Sequence, residues 1–512
     1  MSLEHAGPAV EPVEGQQTGQ IFGGSERPGL RVANAIYGVC LALSIAAWFV
    51  AIRSPLWLDE TGSYWQISAG FSQIWPRQYM CLAFPAYSYI LWFASKMLGI
   101  SEIALRVPSI LAMLAAVYVF YLCARELFDR EMALIAVIIF SVNPITVFES
   151  NDARPYAFVM LTTNLTLLML LRLRKSDSVW LAGLFGFLSA LIIYFHFLAA
   201  VILPAFLLCF IVWRYRSGKI FRKQMAVGLA VFVLTFLPLI PGLEHLFETG
   251  KTHVFQTAPG YALLVMSLTS LWYPFAFGAA VICAALMIRT NERCNFQRWQ
   301  ILLCASAALI PILILFGVSE WTPIHLFDPR HQTPAVPGVA LAWALLLSFF
   351  RWRVVRLTFC VVLVGLSAGF TFTMPSARQH GYSWKGALAA VEKNASPAEV
   401  PVLVCSDWPE SNYVKMSPGL VKNSVFYAPL SYYRVSVPVV PLPRALNTEA
   451  KRAGRSFIQK AELKHERFLA AAWFPSYATL RWLKQRASGE YDVKVLGVYD
   501  GVKVLNFVPR TP

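Results

Sequence analysis

The sequence predicts a mainly α, polytopic membrane helix bundle of about eleven spans, with a small α/β domain at its C-terminal end. Three observations predict it. Hydrophobic residues make up 57% of the 512-residue chain and charged residues only 14%, against about 25% charged in a soluble domain. Mean hydropathy is +0.54. The apolar residues gather in runs able to cross about 30 Å of hydrocarbon, and the runs stop after residue 374, where the sequence turns polar and evenly charged. A disordered chain, a disulfide scaffold and an ordinary soluble enzyme are excluded.

Taken in order, residues 1–31 are polar and lack the basic patch and apolar core of a cleavable signal, so they read as a disordered cytoplasmic tail. Val32–Ile52 is the first span and an uncleaved anchor. Apolar runs follow near 103–124, 131–148, 155–171, 179–213, 225–243, 261–288, 299–318, 334–350 and 357–374. The 179–213 run carries no charge, and as one helix it would measure about 52 Å. It reads as two short spans turning near Tyr194–Ala199, which makes eleven spans in a membrane domain of residues 32–374. Gly365 and Gly369 form a small-xxx-small pair suited to close helix packing.

The segment Leu82–Leu98 is apolar but short, with Pro85 near its start and Lys96 inside. If it lies on the membrane surface, the Arg- and Lys-rich loops at 125–130, 172–175, 214–223, 289–298 and 351–356 all face the cytoplasm, as the positive-inside rule requires. The net charge of +16 (44 Lys+Arg less 28 Asp+Glu) then belongs to those loops and not to a nucleic-acid surface. The same topology puts the N-terminus inside and residues 375–512 outside. That last stretch predicts a helix over 383–393, strands at 400–405 and 468–473, a helix over 477–487, and a hairpin of 491–499 with 502–508 around Asp500-Gly501. Six of the nine cysteines lie in apolar runs and Cys294 in a basic loop. Only Cys81 and Cys405 stand where a disulfide is conceivable, and no spacing marks structural zinc.

Three outer loops carry charge against the apolar bundle. The first holds Asp59 and Glu60 directly after a span, in an aromatic setting that suits a general base or a metal ligand. The second is Glu149-Ser150-Asn151-Asp152-Ala153-Arg154-Pro155-Tyr156, where Asp152 suits either a helix cap or catalysis. The third is Phe327-Asp328-Pro329-Arg330-His331, whose Arg330 suits a phosphate through its planar donor fork. Lys251, His253 and His325 are weaker candidates, and His196 reads as structural.

Leu56-Trp57-Leu58-Asp59-Glu60 resembles the Asp-Glu loop of the C-fold (GT-C) membrane glycosyltransferases, and within them the bacterial protein-mannosyltransferase and lipid A aminoarabinose-transferase group. The likeness continues, in order, through Phe84-Pro85-Ala86-Tyr87, Leu98-Gly99-Ile100-Ser101-Glu102, Arg106-Val107-Pro108-Ser109, Asn143-Pro144, Asp152-Ala153-Arg154-Pro155-Tyr156-Ala157, and Arg330-His331 with Pro334-Ala335-Val336-Pro337. The resemblance implies an inverting transferase of the hexosyl or pentosyl type. It would move a sugar from a polyprenyl-phosphate donor to an acceptor hydroxyl on a lipid, glycan or protein, at the outer face of a bacterial inner membrane.

On that pattern Asp59 is the base, assisted by Glu60. Asp152 faces the same cavity, and the two aspartates are able to share a divalent metal ion, with no other cofactor implied. Arg330 meets the donor phosphate, and Arg154, Tyr156 and His331 line the substrate site. The chain departs from the family at Phe84, where a His or Lys is usual, and at Ala86, where a second Pro is usual. The phosphate contact then falls to Arg77, Arg330 or Lys251. Two other classes compete: a flippase or transporter of lipid-linked glycans, which needs charge along a transmembrane path, and a glycan polymerase or ligase, which needs a large late outer loop rich in Arg and His.

Overall fold

The structure, a computed structural model, describes residues 28–81, 84–216, 223–249, 258–269, 296–350, 352–373, 382–395, 400–406, 408, 411, 416 and 424–510. The first helix, α1 (Pro28–Trp48), packs against two later ones, α6 (Arg130–Val142) and α16 (Arg353–Thr373). Three short helices follow it: α2 (Leu58–Ser68), α3 (Ile74–Met80) and α4 (Ala86–Leu98). A buried polar cluster ties them together. Gln78 Nε2 donates to Gln66 Oε1 at 2.8 Å and to Ser88 Oγ, and Ser88 Oγ donates to Gln66 Oε1 at 3.1 Å. At 13 residues, α4 is about 20 Å long, too short to cross the membrane alone.

The bundle continues with α5 (Glu102–Leu127), α6 and α7 (Pro144–Ser150). Pro144 has no N–H to continue α6, and its ring drives Asn143 out of the helical region to ψ 130°. Asn143 Oδ1 then caps the next turn by accepting from Ile145 N–H at 3.0 Å. The two helices therefore bend by 65°, which turns α7 and the loop after it toward the end of the bundle.

Next come α8 (Tyr156–Lys175), α9 (Val179–Phe195), α10 (Leu203–Arg216), α11 (Lys223–Phe236), α12 (Ile240–Thr249), α13 (Gly260–Thr269), α14 (Arg298–Trp321), α15 (Val336–Ser348) and α16. The uncharged run does break where length demands it. α9 stops at Phe195, His196 is extended (φ −158°, ψ 117°), and a 3-10 turn leads into α10.

Among the described residues, seven helices are long and apolar enough to cross a membrane, or eight if α6 and α7 are one broken span. The protein is a multi-pass membrane protein, but the expected eleven spans are not confirmed. α9, at 17 residues, and α15, at 13, fall short of a full crossing by length, and most of the run expected at 261–288 lies outside the described residues. Close packing also sits elsewhere than expected. A Cβ added at Gly365 or Gly369 meets nothing within 4 Å. At Gly186 it would lie 2.1 Å from the Gly228 carbonyl oxygen, and at Gly338 it would lie 2.3 Å from the Ala307 backbone. Those glycines let α9 approach α11 and α15 approach α14.

Charged contacts sort the bundle into two ends. At one, Glu131 binds Arg353 (2.9 Å) and Arg356 (3.1 Å), Asp177 binds Arg214 (2.8 Å), and Glu126 binds Lys175 (2.5 Å). The loops at the other end hold the acids and cations singled out from the sequence.

The C-terminal region forms a five-stranded mixed sheet in the order β2-β1-β3-β5-β4, with β1 Val402–Cys405, β2 Val439–Pro441, β3 Phe468–Trp473, β4 Tyr491–Tyr499 and β5 Val502–Pro509. β1 runs parallel to β2 and β3, while β5 is antiparallel to β3 and β4. The β4–β5 hairpin turns on Asp500 (φ 46°) and Gly501 (φ 83°), the pair of positive angles that a two-residue turn of this kind requires. Helices α17 (Lys385–Asn394), α18 (Ala428–Tyr432), α19 (Thr448–Leu463) and α20 (Tyr477–Ala487) complete the domain. No disulfide links Cys81 and Cys405; Cys405 is enclosed on β1.

Candidate active site

The site begins with the strand-like stretch before α2. Trp57 is extended (φ −83°, ψ 176°) and caps the helix, while Glu60 reaches back to accept from Trp57 N–H at 3.2 Å. Glu60 is wholly buried. Its Oε1 accepts from Arg106 Nε at 2.7 Å and from Ala153 N–H at 2.9 Å, and its Oε2 accepts from Arg106 Nη2 at 2.5 Å. Arg106 in turn donates to the carbonyls of Ala51, Ile52, Ser54 and Pro55 at 3.2, 2.9, 2.7 and 3.3 Å. The Glu60–Arg106 pair is thus a rivet through α2, α5 and the first two loops.

Asp59, one residue earlier, faces the other way. Its Oδ2 binds Arg330 Nη1 at 2.7 Å, with Arg154 Nη2 at 3.8 Å, and its side chain keeps 15% of its surface exposed. Arg330 is anchored through Nε to Asp328 Oδ1 at 3.1 Å and lies over the Trp57 ring at 5.9 Å. Burial opposes the charge on Arg330, but Asp59, Tyr156, Asp328 and Glu149 outweigh it and raise its pKa.

Asp152 is buried. Its Oδ1 accepts from Trp57 Nε1 at 3.0 Å, and its Oδ2 has no hydrogen-bond partner. Burial and the neighbouring Glu60 carboxylate push Asp152 well above the ordinary carboxylate range, against the opposing Trp57 hydrogen bond. Glu149 Oε2 is likewise buried without a partner, within electrostatic reach of Asp152, Arg330 and Arg154. Behind them, the Tyr156 hydroxyl and His196 Nε2 lie 3.3 Å apart, and the His196 and His331 rings are 5.6 Å apart. His331 Nδ1 donates to the Leu326 carbonyl at 2.7 Å, so Nε2 is the acceptor of the neutral ring. Burial lowers the pKa of both histidines.

The structure brings together Asp59, Glu60, Asp152, Arg154, Tyr156, Arg330 and His331. Arg77 stands apart: it lies over the Trp65 ring at 4.3 Å and donates to Ser68 Oγ at 2.9 Å. Lys251 lies outside the described residues. Phe84 meets Phe197 edge-on at 6.4 Å and packs with Ile193 and Leu239. Of the two described cations expected to replace a phosphate contact at that position, Arg330 is the one beside Asp59.

Two guanidinium groups flank Asp59 and an indole N–H meets Asp152 Oδ1, which leaves Asp152 Oδ2 open; no group of three His, Cys, Asp or Glu among the described residues converges as a metal site. Sequence reasoning quoted Arg106 and Glu149 only within longer motifs and gave neither a role. A charged residue inside the apolar run at 103–124 is the signal that marks Arg106; for Glu149 the burial is a tertiary property.

The C-terminal domain closes over this end. Trp57 pairs with Ser383 in an isolated antiparallel bridge. Leu56 N–H donates to the Tyr433 hydroxyl at 2.6 Å, and Lys385 binds Glu102 at 2.9 Å.

Residues 83–241 match the model of a family described as dolichyl-phosphate-mannose-protein mannosyltransferase. The match takes in Arg106, Asp152, Arg154, Tyr156 and His196, and stops short of Asp59 and Arg330. No curated protein matches the chain. Among solved structures, ArnT from Cupriavidus metallidurans bound to undecaprenyl phosphate aligns with a TM-score of 0.53 at 12% identity, covering 93% of this chain and 98% of that one. The archaeal oligosaccharyltransferase AglB from Archaeoglobus fulgidus, in complex with an inhibitory peptide and a dolichol-phosphate, aligns at a TM-score of 0.43 and 12% identity, covering 91% of this chain and 73% of that one, too loosely to carry an argument. The resemblance to the GT-C membrane glycosyltransferases read from the motifs is borne out, and the fold is theirs.

Proposed function

We propose that this protein is an inverting glycosyltransferase that takes a sugar from a polyprenyl-phosphate donor and places it on an acceptor hydroxyl at the outer face of a bacterial inner membrane. The observation that carries the reading is the Asp59 carboxylate, partly open and held between the Arg330 and Arg154 guanidinium groups. The matched mannosyltransferase family and the undecaprenyl phosphate bound to ArnT support the lipid-phosphate donor. The N-terminus is cytoplasmic in this reading, because the basic loops gather at the end opposite Asp59.

The acceptor oxygen attacks the anomeric carbon as its proton passes to Asp59. The bond from that carbon to the phosphate oxygen breaks, and both electrons leave with the lipid phosphate. Attack opposite the leaving group inverts the anomeric centre. Arg330, with Nη2 available beyond its bonds to Asp59 and Asp328, and Arg154, with an unpartnered Nε, stabilise the charge growing on the phosphate. Glu60 positions the loop and takes no proton, since four donors fill its carboxylate. A divalent ion, if bound, would be held by Asp59 and Asp152 and would supply further positive charge beside the phosphate.

The test uses membranes holding wild type or Asp59→Asn, incubated with radiolabelled polyprenyl-phosphate sugars, with and without chelator. Wild type should consume donor, and a rate lowered by chelator would point to an ion between Asp59 and Asp152. Asp59→Asn should be slower by roughly 10²–10⁴-fold, the range for general-base catalysis. Full turnover by a folded Asp59→Asn protein would sink the base assignment. Transport of lipid-linked glycan without donor loss would favour the flippase class instead.

A further inference from the structure

At the basic end of the bundle a cavity of about 400 Å³ opens between the last turns of α8 and α10 and the first turn of α14. Its volume falls within the usual range for ligand sites. The wall is apolar, built from Leu170, Leu171, Cys209, Val212, Leu302 and Leu303, and its polar groups are Arg174 and Arg298, with the indoles of Trp213 and Trp299 beside them. The Arg174 guanidinium lies 3.7 Å over the Trp299 ring, so it is held in place by stacking.

Among the described residues neither arginine has a carboxylate at ion-pair distance. Two acids at this end, Glu126 and Asp177, pair with Lys175 at 2.5 Å and with Arg214 at 2.8 Å, and Glu126 acts on Arg174 only through space. The site therefore combines two guanidinium groups, neither in an ion pair among the described residues, with an apolar slot, at helix ends marked by tryptophan. Tryptophan collects at the membrane–water boundary, and basic pockets between helices at that level suit anionic lipid headgroups.

We propose that this cavity binds an anionic phospholipid of the adjoining leaflet, with the phosphate on Arg174 and Arg298 and an acyl chain in the slot. The site lies at the end of the bundle away from Asp59, so its occupant is not the sugar donor. It needs only that this end meet a membrane surface, which holds for either orientation of the chain and does not depend on the transferase reading.

Native mass spectrometry of the full-length protein released from vesicles of phosphatidylglycerol and phosphatidylcholine tests the proposal. Wild type should retain phosphatidylglycerol over phosphatidylcholine. Each guanidinium near an anionic surface is worth about fivefold, so Arg174→Gln with Arg298→Gln should reduce retention by roughly 25-fold. Val212→Trp, which fills the slot and keeps both charges, should also lose the lipid. Arg172→Gln, an exposed charge on the same turn, should change retention less than twofold. Size-exclusion profiles and melting temperatures report whether each variant is folded, and Val212→Trp carries the test if the double variant is not. Equal retention of both lipids, unchanged retention in the double variant, an equal fall with Arg172→Gln, or complete displacement by inorganic phosphate would each overturn the proposal.

Discussion

Arg106 and Glu60 are both fully enclosed, and a buried ion pair that loses one member leaves an uncompensated charge. Arg106→Leu should therefore destabilise the protein by about 3–5 kcal/mol, seen as a lower melting temperature and less folded protein in the membrane. Asp59→Asn, by contrast, should slow turnover by roughly 10²–10⁴-fold and spare the fold. Asp152 gives a pH signature. Its folded-state pKa is raised by burial, so folding favours its protonated form. Its contribution is fully present below the ordinary carboxylate value of about 3.9 and is lost as pH rises through the raised folded value. Asp152→Asn keeps the acceptor for Trp57 and removes the titration. The variant's melting temperature should change less than that of wild type as pH rises from about 4, and by pH 7 it should be the higher. At this scale Asp59, Asp152 and Arg330 were legible as charges beside an apolar bundle. The role of Glu60 was not, although it adjoins Asp59. Successive helical residues point about 100° apart, so one acid faces the site while the next faces the core, and which is which depends on the position of Arg106.

Helix contacts in this bundle depend on small residues at particular crossings. Gly338→Ala would drive a methyl group to 2.3 Å from the Ala307 backbone, and the overpacking should cost about 1–3 kcal/mol. Gly365→Ala, with open space around it, should change stability by less than about 0.5 kcal/mol. Melting curves of the two variants in the same detergent check the contrast. A Gly-xxx-Gly spacing is visible in sequence, but which helix approaches it is not. The break at His196 was legible from length alone, and the Asp500-Gly501 hairpin from its turn residues. β2 and α19 escaped notice. β2 has only three residues. α19 was within reach, because its buried side, Ala450, Gly454, Ile458 and Ala461, recurs at helical spacing behind the Asn447 cap.

The whole molecule joins two bodies at the residues that hold Asp59. Tyr433 supplies the hydroxyl that accepts from Leu56 N–H, and Tyr433→Phe would leave that N–H without its partner, a cost of about 1–3 kcal/mol. Turnover should fall by about tenfold, equivalent to 1.4 kcal/mol on the barrier, while membrane insertion is unchanged. Initial-rate measurements on equal amounts of folded protein check it. The domain boundary was legible from the change in composition, but not which loop the outer domain grips, because that pairing joins residues 377 positions apart. This separation also sets an order of events during synthesis. At about 5–20 residues per second, Leu56 leaves the ribosome roughly 20–75 s before Tyr433 exists. A nascent chain can thus seat its early helices in the bilayer while the loop bearing Asp59 still lacks its outer clasp. A chain cut short before Tyr433 would reach the membrane but never complete that clasp.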